Sequence, residues 1–388
     1  MSKVRYGIIG IGKMGSQHAK RLSLGQDKNA ILTAVADVNA NRREWAEKNL
    51  KNVSIFDNPE DLINSQEVDA VIIATPHYDH PKLGIKALEA GKHLLVEKPI
   101  GVYTKAVKEL YEVAEKHPEL TFGIMYNQRT DPMYRKAKEI IESGELGQIK
   151  RINWIITNWY RPQAYYDQGG WRGTWEGEGG GVLINQCPHQ LDLFQWLGGM
   201  PIKVYGKAKV GVGRDINVEN DVTFMTEYEN GAVGVFVTST HDFPGTNRLE
   251  IDGDGGQLVV EWTGMLNEKL TYTKLKTKES EFNKTNKVFM PRIPNKKIVK
   301  KIGIIGNAIN LGIVGQHIKI IRNFSEAILF GKELIAPGMD GIKGLTLSNA
   351  VYLSSWLDKE ITLPLDEDLF FSELQKRIEK EKKESNKK

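Results

Sequence analysis

The residues Gly10-Ile11-Gly12-Lys13-Met14-Gly15 fit the pattern G-x-G-x-x-G. They follow an apolar run, Val4–Ile9, and open an amphipathic one, Lys13–Leu24. Chemically this is a phosphate-binding turn. Gly10 allows the tight bend, Gly12 lets a pyrophosphate approach the backbone, and Gly15 permits close helix–strand packing. A helix beginning there offers free N–H groups and the positive end of its dipole to an anion. Asp37 ends the second apolar run, 22 residues beyond Gly15. A carboxylate at that place accepts both ribose hydroxyls and repels a 2′-phosphate, so NAD is favoured over NADP. Arg42 and Arg43 keep NADP open, and the bland alternative for Asp37 is a cap on the next helix.

Two further groups have the chemistry of proton transfer. Glu97-Lys98-Pro99 ends the fifth apolar run. Ligands of a doubly wound sheet sit beyond the carboxyl ends of its strands, so Lys98 is delivered to the cofactor and can polarise or relay the proton of a substrate hydroxyl. Asn185, His189 and Asp192 are spaced i, i+4, i+7, which on one helix is a single face. His189 is the natural base, with Asp192 orienting it, and the preceding Gly179-Gly180-Gly181 suits close backbone approach. The competing reading puts Asn185 at or just before a helix start marked by Pro188. Thr75-Pro76 with His77 and His80 follows the fourth apolar run and points to the nicotinamide side of the cofactor rather than to a metal. The chain has no H-E-x-x-H and a single cysteine, Cys187. Arg129, Tyr160, Arg161, Trp171, Arg172 and Trp175 offer guanidinium forks and flat rings suited to a hydroxyl-rich ligand. Trp175 is equally suited to packing on a sheet.

These groups need elements to hold them. Residues 1–126 alternate short apolar runs with amphipathic stretches, which predicts a parallel, doubly wound α/β sheet of the Rossmann type. Residues 127–368 change character. A helix is expected over Met133–Ser143, a strand over Ile149–Asn158, a Gly- and Trp-rich loop over Tyr160–Gly181, a helix over Cys187–Leu197, and consecutive strands from Lys203 to Glu261. That order predicts an α+β domain with a mainly antiparallel sheet. Lys269–Lys301 reads as a solvated insertion, Gly303-Ile304-Ile305-Gly306 as a decoy glycine pair, and 369–388 as a charged tail.

Composition removes whole classes. The 388 residues are 40% hydrophobic and carry a net charge of only +4, too little and too scattered for a nucleic-acid surface. No apolar run is long enough to span a bilayer, and because Met1-Ser2-Lys3 leads directly into the first apolar run, no signal peptide is expected. With one cysteine, a reducing, cytoplasmic setting is expected.

Several of these motifs together resemble the glucose-fructose oxidoreductase, inositol dehydrogenase and rhizopine-catabolism family of NAD(P)-dependent oxidoreductases. The resemblance rests on the first glycine motif and Ala74-Thr75-Pro76 with His80. It continues through Ala90-Gly91-Lys92-His93 running into Glu97-Lys98-Pro99-Ile100-Gly101, then Tyr126-Asn127-Gln128-Arg129 with Pro132, and the Gly179-Gly180-Gly181…Asn185…His189…Asp192 series. Asp340-Gly341, Asn349-Ala350 and Leu363-Pro364 are a weaker echo.

Such a resemblance implies an N-terminal nucleotide-binding domain and a C-terminal domain on a large open sheet, one face of which makes a homodimer or homotetramer. It implies cofactor contacts from Gly10, Gly12, Lys13, Met14, Gly15, Asp37, Thr75, Pro76, His80, Glu97, Lys98 and Asn127. Substrate contacts are implied for Lys98, Arg129, Trp171, Arg172, Asn185, His189 and Asp192, with Lys98 and His189 serving the reacting hydroxyl. Many inositol-oxidising members carry Asp where Asn185 stands, and an amide supplies no charge to an imidazolium. The expected activity is oxidation of a secondary hydroxyl of a sugar, glycoside, cyclitol or other polyol. Two alternatives are an NAD-using glycosidase without net redox and a non-catalytic dinucleotide-responsive regulator.

Overall fold

The computed structural model describes residues 3–262, 268–302 and 315–385. The chain divides into two compact units, each drawn from separate stretches of sequence. The first comprises Met1–Thr130, Gly177–Gly179 and Val314–Thr346, and the second Asp131–Glu176, Gly180–Ile313 and Leu347–Lys388.

In the first unit, strands β1 (Val4–Ile9), β2 (Ala30–Ala36), β3 (Ser54–Phe56), β4 (Ala70–Ile73), β5 (His93–Val96) and β6 (Phe122–Ile124) form one sheet in the order β3-β2-β1-β4-β5-β6. Every pairing is parallel. The central strands are apolar on both faces. Ile8, Ile72, Ile73, Leu94, Leu95 and Val96 are all buried, as a parallel sheet covered on both sides requires. The order places the ends of β1, β4 and β5 side by side. The short helix Pro59–Asn64 is absent from the sequence expectation. It is held at its start by Asn58, whose side chain accepts from Glu60 N at 2.9 Å.

A boundary at 126 leaves this unit incomplete. The helix Gln316–Phe330 buries Ile318, Ile321 and Phe324, and Phe324 packs so close to Gly123 that a Cβ there would sit 3.0 Å from its ring. Tyr6 Oη and Ser325 Oγ are hydrogen-bonded at 2.8 Å. Ile124 N donates to Ala336 O at 3.0 Å, and Tyr111 Oη to Gly338 O at 2.7 Å. An apolar helix face finds its partner here some 200 residues away in sequence, which no local pattern announces.

The second unit is built on nine strands. Beyond β7 (Ile149–Ile156), β8 (Lys203–Val210), β9 (Glu219–Glu227), β10 (Val233–Ser239), β11 (Asn247–Gly253) and β12 (Gly256–Trp262) come β13 (Glu268–Leu275), β14 (Asn295–Ile302) and β15 (Ile361–Thr362). The order is β14-β13-β12-β11-β7-β10-β9-β8-β15, antiparallel except for β10 beside β7. One face buries Trp154, Phe224 and Phe236 in a ring cluster. The solvated insertion expected over Lys269–Lys301 is corrected: β13 alternates buried Leu270 and Tyr272 with half-exposed neighbours and pairs with β14, so the stretch widens the sheet. Most of the charged tail expected over 369–388 lies in a helix, Glu367–Ser385, that buries Phe370, Leu374 and Ile378. Trp356 stacks on Phe370 at 5.5 Å, with the Arg377 guanidinium 3.8 Å from its ring centre. The glycine pair Gly303 and Gly306 lies outside the described residues.

Candidate functional site

The glycine turn follows β1 as expected, and the helix Lys13–Ser23 begins at Gly12 without any side-chain cap. A Cβ on Gly15 would fall 1.8 Å from Gly10 O, so this glycine is required by packing. A Cβ on Gly12 meets nothing within 4 Å. Uncapped helix amides beside an open backbone surface are what a pyrophosphate needs, and the turn fits a dinucleotide. Asp37 Oδ2 accepts from Ile11 N at 2.8 Å and Oδ1 from Asn39 N at 2.9 Å. The carboxylate is therefore held against the turn, with lone pairs left for ribose hydroxyls. It is not the cap of the next helix. That cap is Asn39, whose side chain accepts from Asn41 N at 2.9 Å. Arg43 donates to the carbonyls of Asp37 and Val38, each at 2.9 Å. Lys13 is exposed, and Met14 half-buried.

Beyond β5, Glu97 is buried and Lys98 half-buried, joined to Pro99 by a cis peptide bond. Glu97 bonds to the first helix and to the residue that follows it. Its Oε1 meets His18 Nε2 at 2.7 Å, and its Oε2 accepts from Lys98 N at 3.1 Å. Burial alone raises the carboxyl pKa. The His18 hydrogen bond and the charges of His18, His317 and Lys98 outweigh that and hold it down to about 2. His317 packs on His18 at 5.6 Å between ring centres, and burial lowers its own pKa to about 4.

The ring nitrogens of His80 face Pro99 O at 2.7 Å and Thr75 O at 2.9 Å. The buried ring of His80, a residue expected at the cofactor, ties the turn after β4 to the turn after β5. Thr75 is half-buried and Pro76 exposed on that first turn. Asn127 Nδ2 donates to Gln316 Oε1 at 2.9 Å, while its buried Oδ1 has no hydrogen-bond partner in the described structure. Arg129, a residue expected at the substrate, has its side chain inside the first unit. It is fully buried, donates to Asp340 Oδ2 at 2.7 Å, and so ties Val314–Thr346 into the unit.

The second unit carries the other proton-transfer candidates. The helix Pro188–Gly198 starts too late to include Asn185, so the three residues do not share one helix. Val182–Gln186 is a turn of π-helix, with Cys187 N donating to Val182 O at 2.9 Å. Asn185 lies on that turn, and His189 and Asp192 on the helix. Phe194 seats the helix on the sheet, with ring centres 5.6 Å from Phe236 and 6.0 Å from Phe224. Asp192 is buried and its Oδ1 accepts from Gln195 Nε2 at 2.9 Å.

Gly181, the last of the glycine triplet, faces the interior of the second unit. Gly181 N and Leu183 N donate to the two oxygens of Glu219 at 2.8 and 2.9 Å, and Tyr352 Oη donates to Oε1 at 2.7 Å. A Cβ on Gly181 would fall 1.9 Å from Glu219 O. The close approach read from the sequence serves this buried carboxyl. Burial pushes Glu219 up to about 7, and the three neutral donors only partly offset it.

Nδ2 of Asn185 donates to Tyr165 Oη at 3.2 Å, as does Arg172 Nη1 at 2.8 Å. The Arg172 guanidinium lies 4.5 Å from the Trp171 ring centre. Trp175 is buried against Tyr352 and Trp356, which settles it as a packing residue. Sequence reasoning missed His18, His317, Glu219 and Tyr165. A reader could have found His18 three residues after Gly15 on the buried face of the first helix, whereas Glu219 carries no local signal. Among the described residues no group of three or more His, Cys, Asp or Glu side chains could hold a metal, and no helix is long and apolar enough to cross a membrane.

Comparison with known proteins follows the same division. Residues 4–124 match the model of an oxidoreductase family with an NAD-binding Rossmann fold, and residues 134–259 match the GFO/IDH/MocA C-terminal domain. A myo-inositol 2-dehydrogenase of Thermotoga maritima is 27% identical over 263 residues, 66% of this chain and 75% of that protein. The scyllo-inositol 2-dehydrogenase (NAD(+)) of Bacillus subtilis is 29% identical over 270 residues, 66% of this chain and 74% of that one. A solved WlbA dehydrogenase from Bordetella pertussis, in complex with NADH and UDP-GlcNAcA, has a TM-score of 0.75 at 24% identity, covering 94% of this chain and all of that chain. That last likeness is one of fold.

Proposed function

The chain belongs to the GFO/IDH/MocA family of oxidoreductases, and from that membership we propose that it oxidises a secondary hydroxyl of a sugar, glycoside, cyclitol or related polyol with NAD. The observation that carries this reading is the placement of Glu97-Lys98-Pro99 directly beyond β5, at the same end of the parallel sheet as the open glycine turn beyond β1. NAD, when bound, accepts the hydride that leaves the carbinol carbon.

The chain's own groups bind, orient and move protons. Gly12 and the uncapped helix start take the pyrophosphate, and Asp37 takes the adenosine ribose. Asn127 Oδ1 is a buried acceptor ready for a cofactor donor. Glu97, kept ionised by His18, anchors the Lys98 amide, and His80 locks the turn from its other side. Lys98 and His189 share the proton of the hydroxyl being oxidised, with Asn185 and Asp192 orienting His189 and the substrate. Because Asn185 brings no charge, Asp192 is the one carboxylate among the four expected catalytic residues.

Replacing Lys98 or His189 by alanine is expected to abolish NADH formation from a panel of cyclitols, aldoses and glycosides while NADH still binds, measured by absorbance and by fluorescence titration. Undiminished turnover in both variants would refute the assignment.

Homo-oligomerisation is assigned to the outer face of the nine-stranded sheet. There Tyr205, Met225, Val235, Val237 and Ile155 form a partly exposed apolar patch on neighbouring strands. Light scattering of Met225→Asp against the unaltered chain tests it, with a smaller species expected. A cytoplasmic setting accords with a single, buried cysteine, Cys187.

A further inference from the structure

Within the second unit, three arginines alternate with aromatic rings. The Arg161 guanidinium lies 5.0 Å from the Tyr165 ring centre, and that of Arg172 4.8 Å from the same ring. The Arg214 guanidinium lies 5.2 Å from the ring of Tyr160, which meets Phe243 edge-on at 5.7 Å. Phe243 is 84% exposed, an open apolar surface beside two cations. Arg214 Nε donates to Arg161 O at 2.7 Å, so one cation is built onto the backbone of the other.

Nearby carboxylates do not neutralise this pair. No ion pair reaches Arg161 or Arg214 among the described residues. Their remaining bonds go to the carbonyls of Tyr160 at 3.1 Å and Gly213 at 2.6 Å, and Arg161 Nε is buried without an acceptor. Asp221 and Asp242 are taken by His241 at 3.2 and 3.3 Å, and Asp167 accepts from Gln163 at 3.0 Å. Asp215, next to Arg214, is exposed. Elsewhere on the same sheet Arg248 is paired with both Glu250 and Glu261, so missing counter-charges are not the habit of this unit. An anion placed on these two guanidiniums supplies the counter-charge that both lack and matches their forked donors. The patch also leads to the expected chemistry. Tyr165, under Arg161, accepts from Asn185 and Gln186, each at 3.2 Å, and these residues directly precede the His189 helix.

We propose that the substrate is an acidic sugar, its carboxylate or phosphate held by Arg161 and Arg214 and its flat apolar face set against Tyr160 and Phe243. The inference rests on the oxidoreductase reading only in taking the bound molecule as the substrate. Calorimetry on the full chain with saturating NADH compares D-glucuronate, glucose 6-phosphate and D-glucose. At least one acid is expected to bind more tightly than glucose by roughly tenfold, and which acid does so separates a carboxylate from a phosphate site. The advantage is expected to vanish in Arg161→Gln and Arg214→Gln, survive in part in Arg214→Lys, and shrink with added salt. Unchanged melting temperatures establish that the variants fold. Equal binding of all three sugars, or an advantage untouched by both glutamine variants, overturns the proposal. Arginine-dependent binding of an acid, with no NADH formed from any sugar tested with NAD, leaves the anion site standing and sinks the dehydrogenase reading instead.

Discussion

Each unit contains a glycine-rich turn running into a helix, and the two turns are put to opposite use. In the first, the amides at the helix start have no side-chain cap, and the surface over Gly12 is open. In the second, the amides of Gly181 and Leu183 are spent on Glu219, and Gly181 is pressed against that residue's own carbonyl. One turn is shaped around an anion from outside, the other around an anion-forming group from within. The buried glutamates beside these regions differ to match. Glu97 has an imidazole and a lysine nearby and stays charged, whereas Glu219 has only neutral donors and is raised to about 7. Glycine spacing alone does not distinguish a ligand cradle from an internal packing device. The partner of the freed amides does.

The sharpest way to break this comparison is to add a methyl group. Gly15→Ala and Gly181→Ala each place a Cβ within 2 Å of a carbonyl oxygen, and each is expected to cost about 3 kcal/mol or more of stability in thermal unfolding. Gly12→Ala is expected to fold normally yet bind NADH ~100-fold more weakly by fluorescence titration, because its methyl enters the space reserved for the pyrophosphate.

Next in size are the glutamates, whose pH responses run in opposite directions. The folded pKa of Glu97, about 2, lies below its ordinary 4.5. Its stabilisation is therefore present above pH 4.5 and lost as pH falls through about 2. The folded pKa of Glu219, about 7, lies above 4.5. Its contribution is full below pH 4.5 and lost as pH rises through 7. Glu219→Gln is expected to flatten the fall in stability between pH 5 and 8, by about 3 kcal/mol across that range. Glu97→Gln is expected to cost about 3 kcal/mol at neutral pH by leaving His18 without its carboxylate. Denaturant titrations at several pH values read both. The smallest effect expected is at Asp37, where alanine weakens NAD by about tenfold and narrows its advantage over NADP.

Much of the first unit was legible in the chain. Its strands are continuous apolar runs bounded by glycine and polar turns, and the strand Val4–Ile9 and the helix Lys13–Ser23 stand where the first two runs predict, the helix one residue shorter. The glycine motif with Asp37 was readable because phosphate binding needs a local arrangement of neighbours. What could not be read depends on distant partners. The π turn at Val182–Gln186 needs Glu219 to take its amides, and nothing near residue 182 announces that glutamate. The pairing of Arg129 with Asp340, 211 positions on, is likewise invisible to spacing. The strand β14 hid in a lysine-rich stretch because an edge strand needs few buried side chains.

The return of Val314–Thr346 to the first unit sets an order of events during synthesis. Ser325, hydrogen-bonded to Tyr6, is made 319 residues later, a delay of roughly 15 to 60 s at typical elongation rates. Until that segment is made, the partners it supplies to Tyr6 and Gly123 are missing, and this flank of the sheet is the last to be completed.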